Sequence, residues 1–335
     1  LQKNLLKTIQ QLAERKIMVI GDMVADVYLE GKISRISREA PVLILEHEAE
    51  KVVPGGAANV VHNVGTLSGS VYAVGVVGDD FAGQELTRVL GSKAADTSGF
   101  VLDCKRPTIT KTRVMAGGQA TVRQQVVRID KESKQPLTAE AEQTLMRHIK
   151  QQITGMDGVV ISDYGSHTIT PEIIKLVINT CQQSSIPCIV DSRYNIMAYQ
   201  GVTVVKQNES EAAKAVGYEI VDQDTLLRAG NTILEKLGAE AVLITLGPDG
   251  MALFEKTGKF TQIPVTNKSE VYDVTGAGDT VVSTMILSLA AGASYEEAAR
   301  LANFAAGTVV KKLGTATTTL EELSQTICDH FEDKD

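Results

Sequence analysis

Tryptophan is absent from the 335 residues, and aromatic side chains make up only 4% of them. Few flat side chains leave little for the stacking platforms that hold single-stranded nucleic acid. Positive charge is scarce as well: 33 Lys and Arg stand against 41 Asp and Glu, a net charge of −8. The surface as a whole therefore repels nucleic acid and anionic membranes. The four cysteines, Cys104, Cys181, Cys188 and Cys328, lack metal-ligand spacing. Cys181 and Cys188 flank a predicted turn before a strand and read as small apolar packing groups. The longest apolar run, near residues 281–293, is shorter than the ~20 residues a membrane helix needs. The opening LQKNLLKTIQQLAERK has the period of an amphipathic helix and no apolar leader core. These absences point to a soluble, cytoplasmic protein. Two nucleotide-binding signatures are missing too. No Walker A loop occurs, and no G-x-G-x-x-G follows the first apolar run, which disfavours a dinucleotide-dependent dehydrogenase.

What is present is a globular balance, 43% hydrophobic and 22% charged residues, enough for a substantial core. Short apolar runs at 16–20 (KIMVI), 71–77 (VYAVGVV), 158–162 (GVVIS), 187–190 (PCIV), 203–205 (TVV) and 241–245 (AVLIT) alternate with helical patterns such as 84–90, 171–183 and 209–216. Continuous apolar runs suit parallel strands covered on both faces. Their alternation with helices predicts a doubly wound, mostly parallel α/β sheet with helices on both faces. The last third reads as three helices, 279–291, 295–312 and 319–331. Two stretches, about 27–54 and 108–130, break the rhythm: they are rich in β-branched residues, alternate apolar with polar, and contain no helix. They predict a small β-sheet lid standing off the main sheet. No linker, low-complexity run or repeat divides the chain, so residues 1–335 read as a single domain. Ligands of such sheets bind beyond the carboxyl ends of the strands, where Gly21-Asp22, Gly78-Asp79-Asp80 and Asp163-Tyr164-Gly165 fall. A basic stretch containing Lys111, Arg113, Arg123 and Arg128 reads either as a solvated face or as a local anion site.

The segment YDVTGAGDT at 272–280 is the most informative in the chain. Gly276 and Gly278 allow a tight turn immediately before an apolar helix, so successive N–H groups point outward at its N-terminus. Donors and the positive end of the helix dipole then aim at one spot, a ready anion site. In phosphoryl transfer, charge on the moving group is stabilised at such a place. Asp279, in the first turn, could take the proton of an attacking hydroxyl. Taken alone after a Gly it reads rather as a helix N-cap; the full GAGD turn, with Asp273 and Thr275 before it, favours the chemical reading.

These residues make the sequence resemble the ribokinase/phosphofructokinase-B (PfkB) family of sugar kinases. The family's D-T-x-G-A-G-D signature is matched by DVTGAGD at 273–279, and its Gly-Gly turn with a following Asn by Gly55-Gly56-Ala57-Ala58-Asn59. The resemblance runs over nearly the whole chain and implies a ribokinase-like fold acting with ATP and Mg²⁺. By the resemblance, Asp279 is the catalytic base and Gly276, Ala277 and Gly278 form the anion hole. Asp26, Gly55, Gly56, Asn59 and Asp163 fall to the sugar side. Asn208 and Glu211 match the N-x-x-E element, with Glu211 ordering Mg²⁺ through water. Thr245, Gly247 and Gly250 line the nucleotide loop, and Asn303 the adenine side. Asp273 and Thr275 are implied ligands of a monovalent cation, K⁺, completed near Gly314. Read from the residues alone, Gly55-Gly56 is also a plain strand-to-helix turn and Glu211 an exposed first-turn acid. Lid sheets in this family often pair between subunits, which implies a homodimer through the lid.

Within the family the segments RISREAPV at 35–42, PGGAANV at 54–60, SDY at 162–164, VYD at 271–273 and KLGT at 312–315 are most similar to the D-glycero-β-D-manno-heptose 7-phosphate kinases of lipopolysaccharide precursor synthesis. The implied reaction moves the γ-phosphate of ATP to O1 of that sugar, with Arg35, Lys111 and Arg113 as candidates for the 7-phosphate. Each also reads as a surface residue. The chain departs from that branch where D-Y-x-K-G becomes Asp163-Tyr164-Gly165-Ser166-His167, D-P-K becomes Asp191-Ser192-Arg193, and T-P-N becomes Lys206-Gln207-Asn208. No H-x-G-H occurs, so the nucleotidyltransferase fused behind many relatives is not expected in this sequence. Two other readings stay in play: a kinase of another sugar or sugar phosphate, and a non-catalytic nucleotide or sugar sensor.

Overall fold

In the computed structural model, residues 1–118, 121–266 and 271–332 are described. The strands are β1 (Lys16–Gly21), β2 (Met23–Ile36), β3 (Leu43–Gly56), β4 (Ser70–Val77), β5 (Asp96–Leu102), β6 (Ile109–Gly118), β7 (Thr121–Lys131), β8 (Gly158–Asp163), β9 (Cys188–Ser192), β10 (Val204–Asn208), β11 (Ala241–Thr245), β12 (Met251–Glu255) and β13 (Phe260–Ile263). The helices are α1 (Gln2–Gln10), α2 (Ala57–Thr66), α3 (Phe81–Gly91), α4 (Ala139–Gln152), α5 (Pro171–Ser184), α6 (Glu209–Val216), α7 (Gln223–Leu237), α8 (Ala277–Ala290), α9 (Tyr295–Val309) and α10 (Leu320–Glu332). None is long and apolar enough to cross a membrane.

Nine strands form the main sheet in the order β13-β12-β11-β10-β9-β8-β1-β4-β5. All pairings from β11 to β5 are parallel, and β12 and β13 close one edge antiparallel. Successive strand side chains point to opposite faces, which divides the core in two. Ile17, Val19, Val160 and Leu243 pack with α1, α2, α8, α9 and α10, whereas Met18, Ile20, Ile161 and Val242 pack with α4, α5 and α7. Continuous apolar strands are thereby covered on both sides, as the sequence pattern requires.

The second sheet has the order β3-β2-β6-β7. Its outer pairs are antiparallel, and β2 pairs β6 in parallel with Asp26 beside Lys111 and Tyr28 beside Arg113. Equal parity in a parallel pair places these four residues on one face. The near end of β2 is buried and its far end exposed. Because only Asp22 separates β1 from β2, the small sheet springs from the carboxyl edge of the large one.

Candidate phosphoryl-transfer site

Two helices begin at that edge without a side-chain cap, and both begin with small residues. Gly56, with φ +52°, precedes α2, and Gly276, with φ +80°, precedes α8. Both conformations favour glycine. A Cβ on Gly276 would lie 2.7 Å from Asn59 Nδ2, and one on Gly55 would lie 2.7 Å from Asp26 Oδ2. The helices are stitched together by polar groups: Thr280 Oγ1 donates to Asn63 Oδ1 (2.8 Å), and Ser283 Oγ to the Val60 carbonyl (3.2 Å).

At the start of α8 the Ala277 N–H donates to the Val274 carbonyl at 3.2 Å. Ala277 is thus engaged internally, unlike the expectation for an anion hole spanning residues 276–278. The N–H groups of Gly278 and Asp279 meet no acceptor among the described residues. Asp279 follows as the third residue of the helix and is only 7% exposed. Its Oδ2 accepts from Asn59 Nδ2 at 2.7 Å, and its Oδ1 from the Tyr164 hydroxyl at 3.0 Å. Burial raises its pKa to about 6, helped by the nearby Asp191 charge and opposed by Asn59, Lys206 and Tyr164. A carboxylate so tuned remains mostly ionised at neutral pH and accepts a proton readily.

Tyr164 itself is placed by an acid that the sequence marked only as part of a strand-end turn. Asp22, fully buried, accepts from the backbone N–H groups of Tyr164 (2.8 Å), Ser166 (3.1 Å) and Thr168 (3.3 Å). Burial raises its pKa against those three bonds. Two cations lie over the Tyr164 ring, Lys111 Nζ at 5.2 Å from its centroid and the Arg193 guanidinium at 4.4 Å. Burial and the Arg193 charge lower the Lys111 pKa. Lys206, 6% exposed, pairs with Asp191 Oδ2 at 2.8 Å.

On the sugar side, Asp26 is 4% exposed and lies 2.8 Å from Arg113 Nη1. The oxygen facing it, Asp26 Oδ1, is buried, and the guanidinium N–H is not aligned on it as a hydrogen bond, so among the described residues the contact is an ion pair alone. Asp163 is not brought to this cluster. Its Oδ2 accepts from Ser192 Oγ (2.8 Å) and the Tyr199 hydroxyl (2.7 Å), and it lines a cavity of about 290 Å³ against α5. Strand parity explains the difference, since Asp163 shares the face of Ile161. Arg35 stands exposed on β2, nine residues beyond Asp26 and also apart from the cluster.

Asn208 and Glu211 form a capping box at α6: Asn208 Oδ1 accepts from Glu211 N (2.8 Å), and Glu211 Oε2 from Asn208 N (2.9 Å). The pair therefore has a structural role, one that leaves Glu211 Oε1 without a hydrogen bond among the described residues. Thr245 ends β11, and Gly247, with φ +58°, faces open space. Gly250 serves the fold instead, since a Cβ there would meet the Ile263 carbonyl at 2.0 Å. Asn303 donates to the Pro264 carbonyl at 2.8 Å. Asp273 clamps two segments, accepting from Thr275 N (2.9 Å) and Gly314 N (3.0 Å). Burial opposes ionisation there, but these bonds and Arg113 outweigh it and lower the pKa. The buried Thr315 hydroxyl close by has no partner among the described residues. No group of three or more His, Cys, Asp and Glu able to hold a metal occurs among the described residues. The Oε1 oxygen of Glu211 fits Mg²⁺ held mainly by water and phosphate, since that ion keeps its hydration shell.

Residues 14–323 match the family described as pfkB family carbohydrate kinase. The chain belongs to that family. It is accordingly a phosphotransferase acting on a sugar hydroxyl. Among curated proteins it is 43% identical over 315 residues to bifunctional protein HldE of Desulfatibacillum aliphaticivorans, covering 94% of this chain and 63% of the relative. It is 38% identical over 335 residues to bifunctional protein HldE of Pelobacter propionicus, covering all of this chain and 67% of the relative. The chain thus spans about two thirds of the length of those relatives. Among solved structures, Escherichia coli phosphofructokinase-2 in complex with potassium aligns at a TM-score of 0.74 and 21% identity, covering 95% of this chain and 99% of that one. Arabidopsis thaliana ribokinase complexed with ribose and ATP aligns at 0.69 and 20%, covering 96% and 99%. These two likenesses establish the ribokinase-like fold.

Proposed function

We propose that this kinase transfers the γ-phosphate of ATP to O1 of D-glycero-β-D-manno-heptose 7-phosphate, with Asp279 as general base. The observation that carries the reading is the junction of a buried, ionisable carboxylate with two unengaged main-chain amides on one turn of α8. The Gly278 and Asp279 amides bind the phosphoryl group, and Asn59 and Tyr164 hold Asp279 toward the attacking hydroxyl. Asp26, charge-paired with Arg113, orients sugar hydroxyls. Mg²⁺, ordered through water by Glu211, supplies positive charge to the nucleotide phosphates. The cleft beside Asp273, Thr275 and the Thr315 hydroxyl takes a monovalent cation. Thr245 and Gly247 approach the nucleotide, and Asn303 shapes its base side through the 264 loop.

Heptose 7-phosphate is favoured by the matched segments at 35–42, 54–60 and 312–315 and by the HldE relatives. The substrate phosphate falls to Lys111 and Arg193, two like charges gathered over one ring, because Arg113 already faces Asp26. The small sheet acts as the lid and pairs with its copy in a homodimer. The test is ADP release from ATP and Mg²⁺ across heptose 7-phosphate, fructose 6-phosphate, fructose and ribose. The account predicts the highest kcat/KM for the heptose 7-phosphate, with 31P NMR showing the new phosphate on O1. A higher value for another sugar contradicts the substrate assignment, and ATP binding with no turnover on any of them contradicts catalysis.

A further inference from the structure

The chain departs from the heptose kinase branch where a Thr gives way to Lys206. Lys206 lies on β10 with the parity of Val204, which packs against the α8 layer. Its ammonium is buried beneath the turn that opens α8: a Cβ built on Gly278 would lie 2.9 Å from Lys206 Nζ. A bare glycine is therefore what lets the ammonium reach the main-chain donors. The acids facing it come from three elements, Asp191 on β9, Glu211 on α6 and Asp279 on α8. Among the described residues only Asp191 is bonded to it, at 2.8 Å, which leaves its other N–H donors for something else.

We propose that Lys206 is a catalytic residue whose ammonium contacts an oxygen of the phosphoryl group in flight, acting beside the Gly278 and Asp279 amides. The inference rests on the phosphoryl-transfer reading above. The sugar hydroxyl oxygen forms a bond to the γ-phosphorus, and the bond from that phosphorus to the bridging oxygen breaks, its electron pair leaving with ADP. The hydroxyl proton passes to Asp279, and Lys206 stays protonated throughout. A positive charge fixed at the place where oxygens gather negative charge stabilises the transition state more than the ground state. Asp191 holds the ammonium in position and keeps it charged in a buried setting.

The test compares wild type, Lys206→Met, the double variant Lys206→Met/Asp191→Asn, and Asp279→Asn. ADP release gives kcat and KM, calorimetry gives ADP affinity, and melting curves report folding. Lys206→Met leaves Asp191 without its cation, whereas the double variant removes both charges and keeps the packing volume. The expected result is a kcat lower by about 10²–10³-fold in both Lys206 variants, with ADP affinity within about threefold and the double variant melting near wild type. The acid limb of the pH profile should rise in Lys206→Met, where Asp279 loses a neighbouring cation, and return toward wild type in the double variant while kcat stays low. Recovery of kcat in the double variant to within about tenfold of wild type would overturn the proposal, leaving Lys206 as a mere counter-ion for Asp191. Unimpaired turnover in Asp279→Asn would instead overturn the parent reading.

Discussion

At the residue scale the account turns on the Asp279 carboxylate, whose burial raises its pKa to about 6. Catalysis needs the ionised form, so kcat/KM should fall as pH drops through about 6 and level off above it; a flat profile from pH 5 to 8 would contradict the assignment. The same shift bears on stability. Between the ordinary value of 3.8 and about 6 the folded chain holds a proton that the unfolded chain has released. The contribution is therefore full below 3.8 and lost as pH rises through about 6. Asp279→Asn removes this cost and should melt higher than wild type at pH 8, by up to about 3 kcal/mol, with the gap closing toward pH 4. Thermal melts at both pH values check it. The GAGD turn was legible as a candidate site because small residues before an apolar helix have a physical meaning in one dimension, while the engagement of the Ala277 amide by Val274 was not. The contacts of Tyr164, Arg193 and Lys206 around that turn were not legible either, since they come from neighbours on other strands, although all three lie in segments the sequence singled out. Asp163 misled for the opposite reason: a strand-end acid has the right height on the sheet, but parity decides its face.

At the element scale the site depends on how closely backbones approach. Gly55→Ala would push a methyl group into the Asp26 carboxylate. The sugar KM should then rise about tenfold, the equivalent of ~1.4 kcal/mol, with the ATP KM little changed; equal effects on both would refute the placement of Asp26 on the sugar side. Asp22 ties the end of β1 to the segment after β8 through three amides. Asp22→Ala leaves those donors buried without a partner and should cost about 3 kcal/mol in urea unfolding. The parallel strands were readable because a strand covered on both faces must be apolar throughout. The antiparallel pair β12 and β13 was not anticipated. Its residues, MALFE and FTQI, are too short for a period to declare itself, and the hairpin depends on Gly250 fitting against the Ile263 carbonyl.

At the scale of the whole molecule, strand order and the lid's attachment come from long-range pairing that no local pattern encodes. The chain shows that two stretches differ from the rest; only the structure shows β2 and β6 meeting in parallel, which sets Asp26 beside Lys111. The far end of the small sheet exposes Ile33 (41%), Ile36 (65%) and Leu43 (46%), apolar surface suited to a second copy. Light scattering should give twice 35.9 kDa for wild type and a single mass for Ile33→Glu/Ile36→Glu; a wild-type monomer would remove the dimer from the account. The most direct test of the central claim is single-turnover phosphoryl transfer with saturating heptose 7-phosphate, comparing wild type with Asp279→Asn alongside calorimetric ADP binding. The account predicts unchanged nucleotide affinity and a transfer rate lower by about 10²–10⁴-fold. A transfer rate within tenfold of wild type would contradict it.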